Sequence, residues 1–312
     1  MILAHRTDID DGIYGGPVSE VLFRPMTDDD VPVAERLSDT AFLELDRRLQ
    51  RRDEPDPQPR EASRRSDWLT RTRHFLTTDP GGCWSAELDG ELIGFATSIR
   101  RESTWILATY AVRPGLQGRG IGRQVLELAL THGRGCLRGM LSASDDPRAV
   151  RRYLLAGFTL HPQMQLSGTV DRTAIPVDAG RKVREGTAAD TDLLDSVDRR
   201  ARDAGHGPDH PLLQGLHRLV VSDTTTGAGY AYLTASGAVA LLAATNRRTA
   251  ERLLWTAIAD GPAEQSVRHL TAANAWAVSI GTAVRLDLGT QGYLGLRGMA
   301  PPQPYLHHGA LL

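Results

Sequence analysis

The sequence predicts a mixed α/β (α+β) protein built from two similar halves. Three observations carry this. Short apolar runs separated by turn residues alternate with amphipathic stretches of helical period. The chain has 312 residues, long for one compact domain and sufficient for two. The order of elements also repeats: Arg24, Thr27 and Asp30 of RPMTDDD return as Arg184, Thr187 and Asp190 of REGTAAD.

Residues 1–20 are polar and Gly-rich and read as a flexible N-terminal extension. Val21–Arg24 reads as a strand, and Thr27 as the N-cap of a helix begun by Asp28, Asp29 and Asp30. Residues 51–66, with three prolines and many charges, read as a long exposed loop before a helix over Asp67–Leu76. Three strands follow, broken at Asp89-Gly90 and near Glu102. A helix through GRQVLELALTHG is expected to bury Ile121, Val125, Leu128 and Ala129. A strand at CLRGMLSAS, a short helix ending at Gly157 and a last strand complete the first half. In the second half, GAVALLAATNRRTAERLLWTAIADG reads as strand then helix, and HLTAANAWAVSIGTAVRLDL as strand, helix, strand. The boundary falls near Val170–Arg181, giving segments 21–170 and 181–312.

Apolar residues make up 41% of the chain and the net charge is −2, so no basic excess points to nucleic acid. Nearly all positive charge is arginine, Lys182 being the single lysine, as expected of a GC-rich genome. Cys83 and Cys136 do not make a disulfide framework and read as inert thiols in apolar strands. No signal peptide or membrane-length apolar run is seen, so a cytoplasmic protein without a membrane partner is expected. His206 and His210 flank Gly-Pro and read as an exposed loop rather than metal ligands, so no metal is expected. Trp84, Trp105, Trp255 and Trp276 read as packing residues.

Residues 112–122, Val-Arg-Pro-Gly-Leu-Gln-Gly-Arg-Gly-Ile-Gly, carry the chemistry. A strand feeds a glycine-rich turn that opens a helix. Backbone N–H groups of such a turn, with the helix dipole behind them, suit a pyrophosphate. Gly118, Gly120 and Gly122 let the main chain approach phosphate oxygens. The spacing is GxGxG, not the GxGxxG of a dinucleotide fold, and hairpins precede it. It also lacks the Gly-Lys-Ser/Thr of a Walker loop. A merely tight strand–helix turn is the plainer alternative.

VRPGLQGRGIG resembles the cofactor loop of the GNAT superfamily of N-acetyltransferases, Gln/Arg-x-x-Gly-x-Gly/Ala, with Gln117, Gly120 and Gly122 in the defining places. WSAELDGELIGFATSI is similar to the family's second and third strands, and DDPRAVRRYLLAGF to its Asn-x-x-Ala-x-x-x-Tyr-x-x-x-Gly-Phe segment. The likeness covers about residues 21–168. It implies two GNAT-like domains, each a mixed, mostly antiparallel central sheet flanked by helices. It implies acetyl-CoA as co-substrate, its pyrophosphate on Gln117, Gly118, Arg119, Gly120, Ile121 and Gly122, its pantetheine beside Tyr110, Ala111 and Val112. A primary amine of a small molecule or peptide would attack the acetyl carbonyl directly. Tyr153 falls on the family's tyrosine and would protonate the departing thiolate; a packing role is its alternative.

Two departures matter. Many members carry a glutamate on the strand before the loop; here the place is Ala108 and WILATYAV holds no carboxylate. Glu102 in the preceding turn and the Leu312 carboxylate, with His307 or His308 nearby, are the candidate bases, unless the amine arrives deprotonated. Asp146 stands where Asn is usual, which would alter how pantetheine is held. The second copy reads LAATNRRTAERLL at its strand–helix junction, without glycine, and Gly281 at the tyrosine place. It is expected to be a degenerate domain that binds no cofactor and pairs with the first as an intrachain pseudo-dimer within a monomer. The runner-up function is a non-catalytic acyl-CoA-binding regulatory module.

Overall fold

Apolar strands punctuated by tight turns organise this chain, a computed structural model of which describes residues 5–8, 20–50 and 55–312. Most of the 1–20 extension, and residues 51–54 of the long loop, lie outside the described residues. The fold is mixed α/β, with mostly antiparallel sheets flanked by helices. By backbone proximity it divides into two compact units. The first comprises Met1–Arg100 and Leu107–Cys136 as far as they are described; the second comprises Arg101–Ile106 and Leu137–Leu312. The boundary near 170–181 read from the sequence falls inside the second unit.

The sheet of the first unit runs β1 (His5–Asp8), β2 (Glu20–Pro25), β3 (Cys83–Leu88), β4 (Glu91–Arg101) and β5 (Thr104–Val112), in that order. Residues 5–8 of the extension thus pair with β2. Asp89 and Gly90 both take positive φ, 51° and 80°, the backbone of a two-residue hairpin, and join β3 to β4. β4 is buried on both faces over Leu92–Ile99, as a central strand should be. Trp68 meets the ring of Phe95 edge-on at 6.0 Å, and Phe23 and Phe75 are buried as well.

Before helix α1 (Val31–Leu49), the Thr27 and Asp30 side chains form a reciprocal capping box around the one-turn helix Asp28–Asp30. Arg24 holds Asp30 through two bonds of 2.7 and 2.8 Å. The same unit recurs before helix α5 (Thr191–Arg202): Thr187 N donates to Asp190 Oδ2 at 2.8 Å, and Arg184 clamps that carboxylate. The short sequence repeat is therefore a repeated structural device.

Helix α2 spans Ala62–Thr78, starting five residues before the expected Asp67. The last proline of the loop is Pro59, and nothing in Ala62–Ser66 breaks a helix, so the charged run that reads as loop is the first turn of α2. Helix α3 (Ile121–His132) buries Ile121, Val125, Leu126 and Ala129, while Leu128 is only half-buried. Its buried stripe leans one position from the expected one. Cys83 is fully buried in β3, and burial, reinforced by Asp79, pushes its thiol up to about 12. Cys136 is half-buried in the turn before β6 rather than in a strand.

In the second unit, β6 (Arg138–Ala143), helix α4 (Pro147–Leu155) and β7 (Thr159–Thr169) come from the first half of the sequence. β8 (Arg184–Glu185), helix α6 (Asp209–Leu216), β9 (Arg218–Thr224), β10 (Gly227–Leu233), β11 (Val239–Ala244) and helix α7 (Arg247–Asp260) follow α5. β12 (Glu264–Leu270), helix α8 (Ala275–Ala283), β13 (Asp287–Arg297) and β14 (Tyr305–Leu306) end the chain. One sheet has the order β14-β11-β10-β9-β8. In the other, strands of the two halves interleave as β6-β13-β7-β12. β7 is thereby hydrogen-bonded along both edges by later strands: Leu166 faces Leu288 on β13 and Val267 on β12. Leu166 joins a buried cluster with Leu253, Trp276 and Ile280. A Cβ on Gly281 would run into Leu166, so glycine there admits α8 against β7. Trp84, Trp105 and Trp276 are buried and Trp255 packs half-buried, as expected of packing residues.

Candidate active site

In the first unit, strand β5 delivers the chain into the glycine turn at Val112. Arg113 N–H still bonds Ile93 O at 2.7 Å, and Leu116 N–H closes a turn onto Arg113 O at 3.1 Å. The Gln117 side chain folds back, Nε2 donating to Val112 O at 3.1 Å, and fixes the turn against the strand end. Gly115, Gly118 and Gly120 have φ of 83°, 89° and 86°. Left-handed backbone at each is cheap only for glycine.

Gly120 is the N-cap of α3 and no side chain caps the helix there. A Cβ at Gly118 or Gly120 would find no heavy atom within 4 Å, so the concavity these residues line is open. An uncapped helix start facing open space is a site where an anion can satisfy backbone donors. The residues present fit the pyrophosphate of a CoA-type ligand.

Gly122 also has a packing reason to be glycine. A Cβ there would fall well inside contact with Tyr110 Oη, and lie 3.2 Å from Tyr110 Cζ and 3.4 Å from Val112 Cγ2. It is glycine so that α3 can press on the strand residues beneath it. Tyr110, Gln117, Gly118, Gly120 and Gly122 are thus brought together with Ala111, Val112, Arg119 and Ile121 on one strand–turn–helix corner. Ala111, Val112 and Ile121 are its buried floor.

The remaining site candidates belong to the second unit. Tyr153 is buried on α4. Asp146 is the N-cap of α4, accepting from Arg148 N–H at 2.9 Å, and its carboxylate also takes the Arg148 guanidinium. That cap is a sufficient local reason for a carboxylate there. Glu102 sits in its turn at φ 49° and accepts from Arg199 Nε at 2.7 Å. Leu312 is fully buried, its carbonyl oxygen held by Arg202 Nη1, and His307 is buried with it.

The second strand–helix junction, between β11 and α7, is closed by its own side chains. Asn246 Oδ1 accepts from Thr249 N–H at 3.0 Å, capping α7, and Thr245 N–H bonds Ala228 O at 2.8 Å. Donors that the first junction leaves uncapped are consumed here.

The sequence reading of His206 and His210 is corrected by the structure: both are fully buried, not in an exposed loop. It also gave no weight to Arg101 and Asp209, which form a buried ion pair with bonds of 2.6 and 2.5 Å. The only available signals were the i, i+4 histidines and the paired aspartates on α5.

Residues 43–158 match the Acetyltransferase (GNAT) family. A mycothiol acetyltransferase of Streptomyces avermitilis is 39% identical over 88 residues, 27% of this chain and 29% of that protein, so the likeness spans under a third of the relative. A Pyrococcus horikoshii protein solved as a candidate acetyltransferase superposes with TM-score 0.70 at 18% identity, covering 97% of each chain. A GCN5-related N-acetyltransferase of Kribbella flavida superposes with TM-score 0.56 at 17% identity, over 89% of this chain and 71% of that one. At those identities the two structures speak to the fold. Among the described residues no helix is long and apolar enough to cross a membrane. The matched segment, which holds the glycine turn and Tyr153, is similar to the acetyltransferase (GNAT) family.

Proposed function

We propose that the chain is an N-acetyltransferase that moves the acetyl group of acetyl-CoA to a primary amine of a small molecule or peptide by direct attack. The observation that carries this is the open, uncapped glycine turn at Gly118–Gly120. In this reading the amides from Gln117 to Gly122 hold the pyrophosphate, and Tyr110, Ala111 and Val112 flank the pantetheine. Acetyl-CoA supplies the activated acyl group. Tyr153 takes the acid role at the departing thiolate, and Asp146, as helix cap, keeps the α4 start in place. A base at Glu102 or Leu312 is disfavoured in this reading by the arginines that engage them, Arg199 at the Glu102 carboxylate and Arg202 at the Leu312 oxygen. The amine is then used in its neutral form.

Segment 21–170 is proposed as the active domain and 181–312 as its degenerate copy, a reading supported by the self-capped Asn246 junction. An anionic or polar acceptor is favoured by Arg71 on α2. Its Nε has no hydrogen-bond partner, and burial, with Arg60 nearby, pushes its guanidinium down to about 10. The Streptomyces relative is named for mycothiol acetylation, and a thiol-bearing amine belongs in any acceptor panel.

Calorimetry tests the cofactor half of the proposal. One acetyl-CoA per chain is expected, and Gly120→Glu should abolish binding by placing a carboxylate at the turn and an L residue at φ 86°. Two sites, or undiminished affinity in the variant, would overturn it. A silent acyl-CoA-binding module is the second reading, favoured by Ala108 in place of a strand carboxylate; it predicts binding with no turnover.

A further inference from the structure

A buried polar cluster in the second unit plays no part in acetyl transfer as proposed. Asp198 of α5, His206 of the following loop and His210 in the first turn of α6 are each fully buried. One ligand-type atom from each lies within 4.8 Å of the others. His206 Nδ1 is 2.7 Å from Asp198 Oδ2, and His210 Nε2 is 3.3 Å from that same oxygen. Asp195, one helical turn before Asp198, brings Oδ1 to 3.3 Å from His210 Nε2.

His210 Nε2 points into this convergence and makes no hydrogen bond there, although it is buried. A buried ring nitrogen left in this state is costly unless something occupies the point it faces. The far atoms of the three buried groups are held by three tyrosines. Asp198 Oδ1 accepts from Tyr230 Oη at 2.5 Å. His210 Nδ1 lies 3.1 Å from Tyr232 Oη, and His206 Nε2 lies 3.4 Å from Tyr305 Oη. Outer partners that fix ring orientation and turn one lone pair inward are what metal-ligating histidines carry.

Taken together, we propose that Asp198, His206 and His210, with Asp195 closing the fourth position, bind one divalent transition cation of the zinc class. The donor set is two imidazoles and two carboxylates, which suits zinc and neutralises the ion's charge. A tetrahedron with bonds of about 2.05 Å has edges of about 3.3 Å. Both His210 spacings already have that length. The His206–Asp198 contact must open by roughly 0.6 Å to reach it. Arg202 does not occupy the point: Nη2 donates to Gly205 O at 3.1 Å, and Nη1 to Leu312 O. The bound ion would tie α5, the 203–208 loop and α6 together, a closed structural site loaded as the chain folds.

The test is metal content of the full chain, purified without a histidine tag from zinc-supplemented medium and dialysed against chelator, read by atomic emission. About one zinc per chain is expected, falling below about 0.1 in the double variant His206→Ala/His210→Ala. Tyr232→Phe removes only an outer partner, keeps the packing volume, and should weaken zinc affinity about 10- to 100-fold. It decides the matter if the double variant does not fold. Cobalt(II) in place of zinc should show the visible absorption of a tetrahedral ion. Wild-type protein with less than about 0.1 equivalents of metal would overturn the proposal. Metal retained in the double variant, or unchanged affinity in folded Tyr232→Phe, would overturn it as well.

Discussion

Gly122→Ala should weaken acetyl-CoA binding even though alanine is the better helix former. By propensity alone, replacing a helical glycine with alanine stabilises by about 0.5–1 kcal/mol. Here the new methyl would overlap Tyr110 Oη and press on Tyr110 Cζ and Val112 Cγ2 at 3.2 and 3.4 Å. The hydroxyl must move by more than an ångström, and overpacking of this kind costs about 1–3 kcal/mol. Tyr110 and Gly122 pack against each other at the proposed cofactor corner, so displacing either deforms it. At about 1.4 kcal/mol per tenfold, affinity should drop roughly 5- to 150-fold by calorimetry. Tyr110→Phe removes the clashing oxygen, so the double variant should recover to within about threefold of Tyr110→Phe alone. Unchanged affinity in Gly122→Ala, or a double variant no better than the single, would refute the packing argument.

Tyr153→Phe should lower kcat about 100-fold or more while acetyl-CoA affinity holds; normal turnover by thiol assay would return Tyr153 to packing. A fragment of residues 1–175 should aggregate, because β7 loses its partners on both edges and Leu166 its buried neighbours; a soluble monomer by light scattering would contradict this. Stability should fall with acid. His307 Nε2 lies 2.9 Å from Gln163 Nε2 and can accept from that amide only while the ring is neutral, and Gln163 Oε1 accepts from His269 Nδ1 at 3.0 Å. Burial pushes His307 down to about 4 from its ordinary 6.5, so the folded chain binds its proton later than the unfolded chain. Its contribution is intact above about pH 6.5 and is lost as pH falls toward 4, about 2 kcal/mol by pH 5. His269, shifted the same way by burial, adds to it. A Tm flat between pH 7 and 5, or a slope unchanged in His307→Gln, would count against the neutral network.

What the sequence made legible is what local chemistry determines. The Asp89-Gly90 hairpin, the Thr27 cap and its Thr187 echo, and the glycine turn before α3 all follow from residues within a few positions of one another. The start of α2 was hidden because arginines serve a solvated helix as well as a loop. The exchange of β7 and β13 was not visible, since strand order depends on partners more than a hundred residues apart in the chain. The packing role of Gly122 was not visible because sequence cannot show the Tyr110 ring beneath it. His206 and His210 read as exposed because Gly-Pro marks a loop; only tertiary packing on β10 and β14 buries that loop.

Acetyl transfer to an amine would be read out by thiol release from acetyl-CoA across a panel of primary amines. Polar, anionic and thiol-bearing acceptors belong in the panel. Amine-dependent CoA release is expected, lost in Gly120→Glu and strongly reduced in Tyr153→Phe. Acetyl-CoA binding at the glycine turn with no thiol release for any amine would contradict it, and would make the chain a binding module.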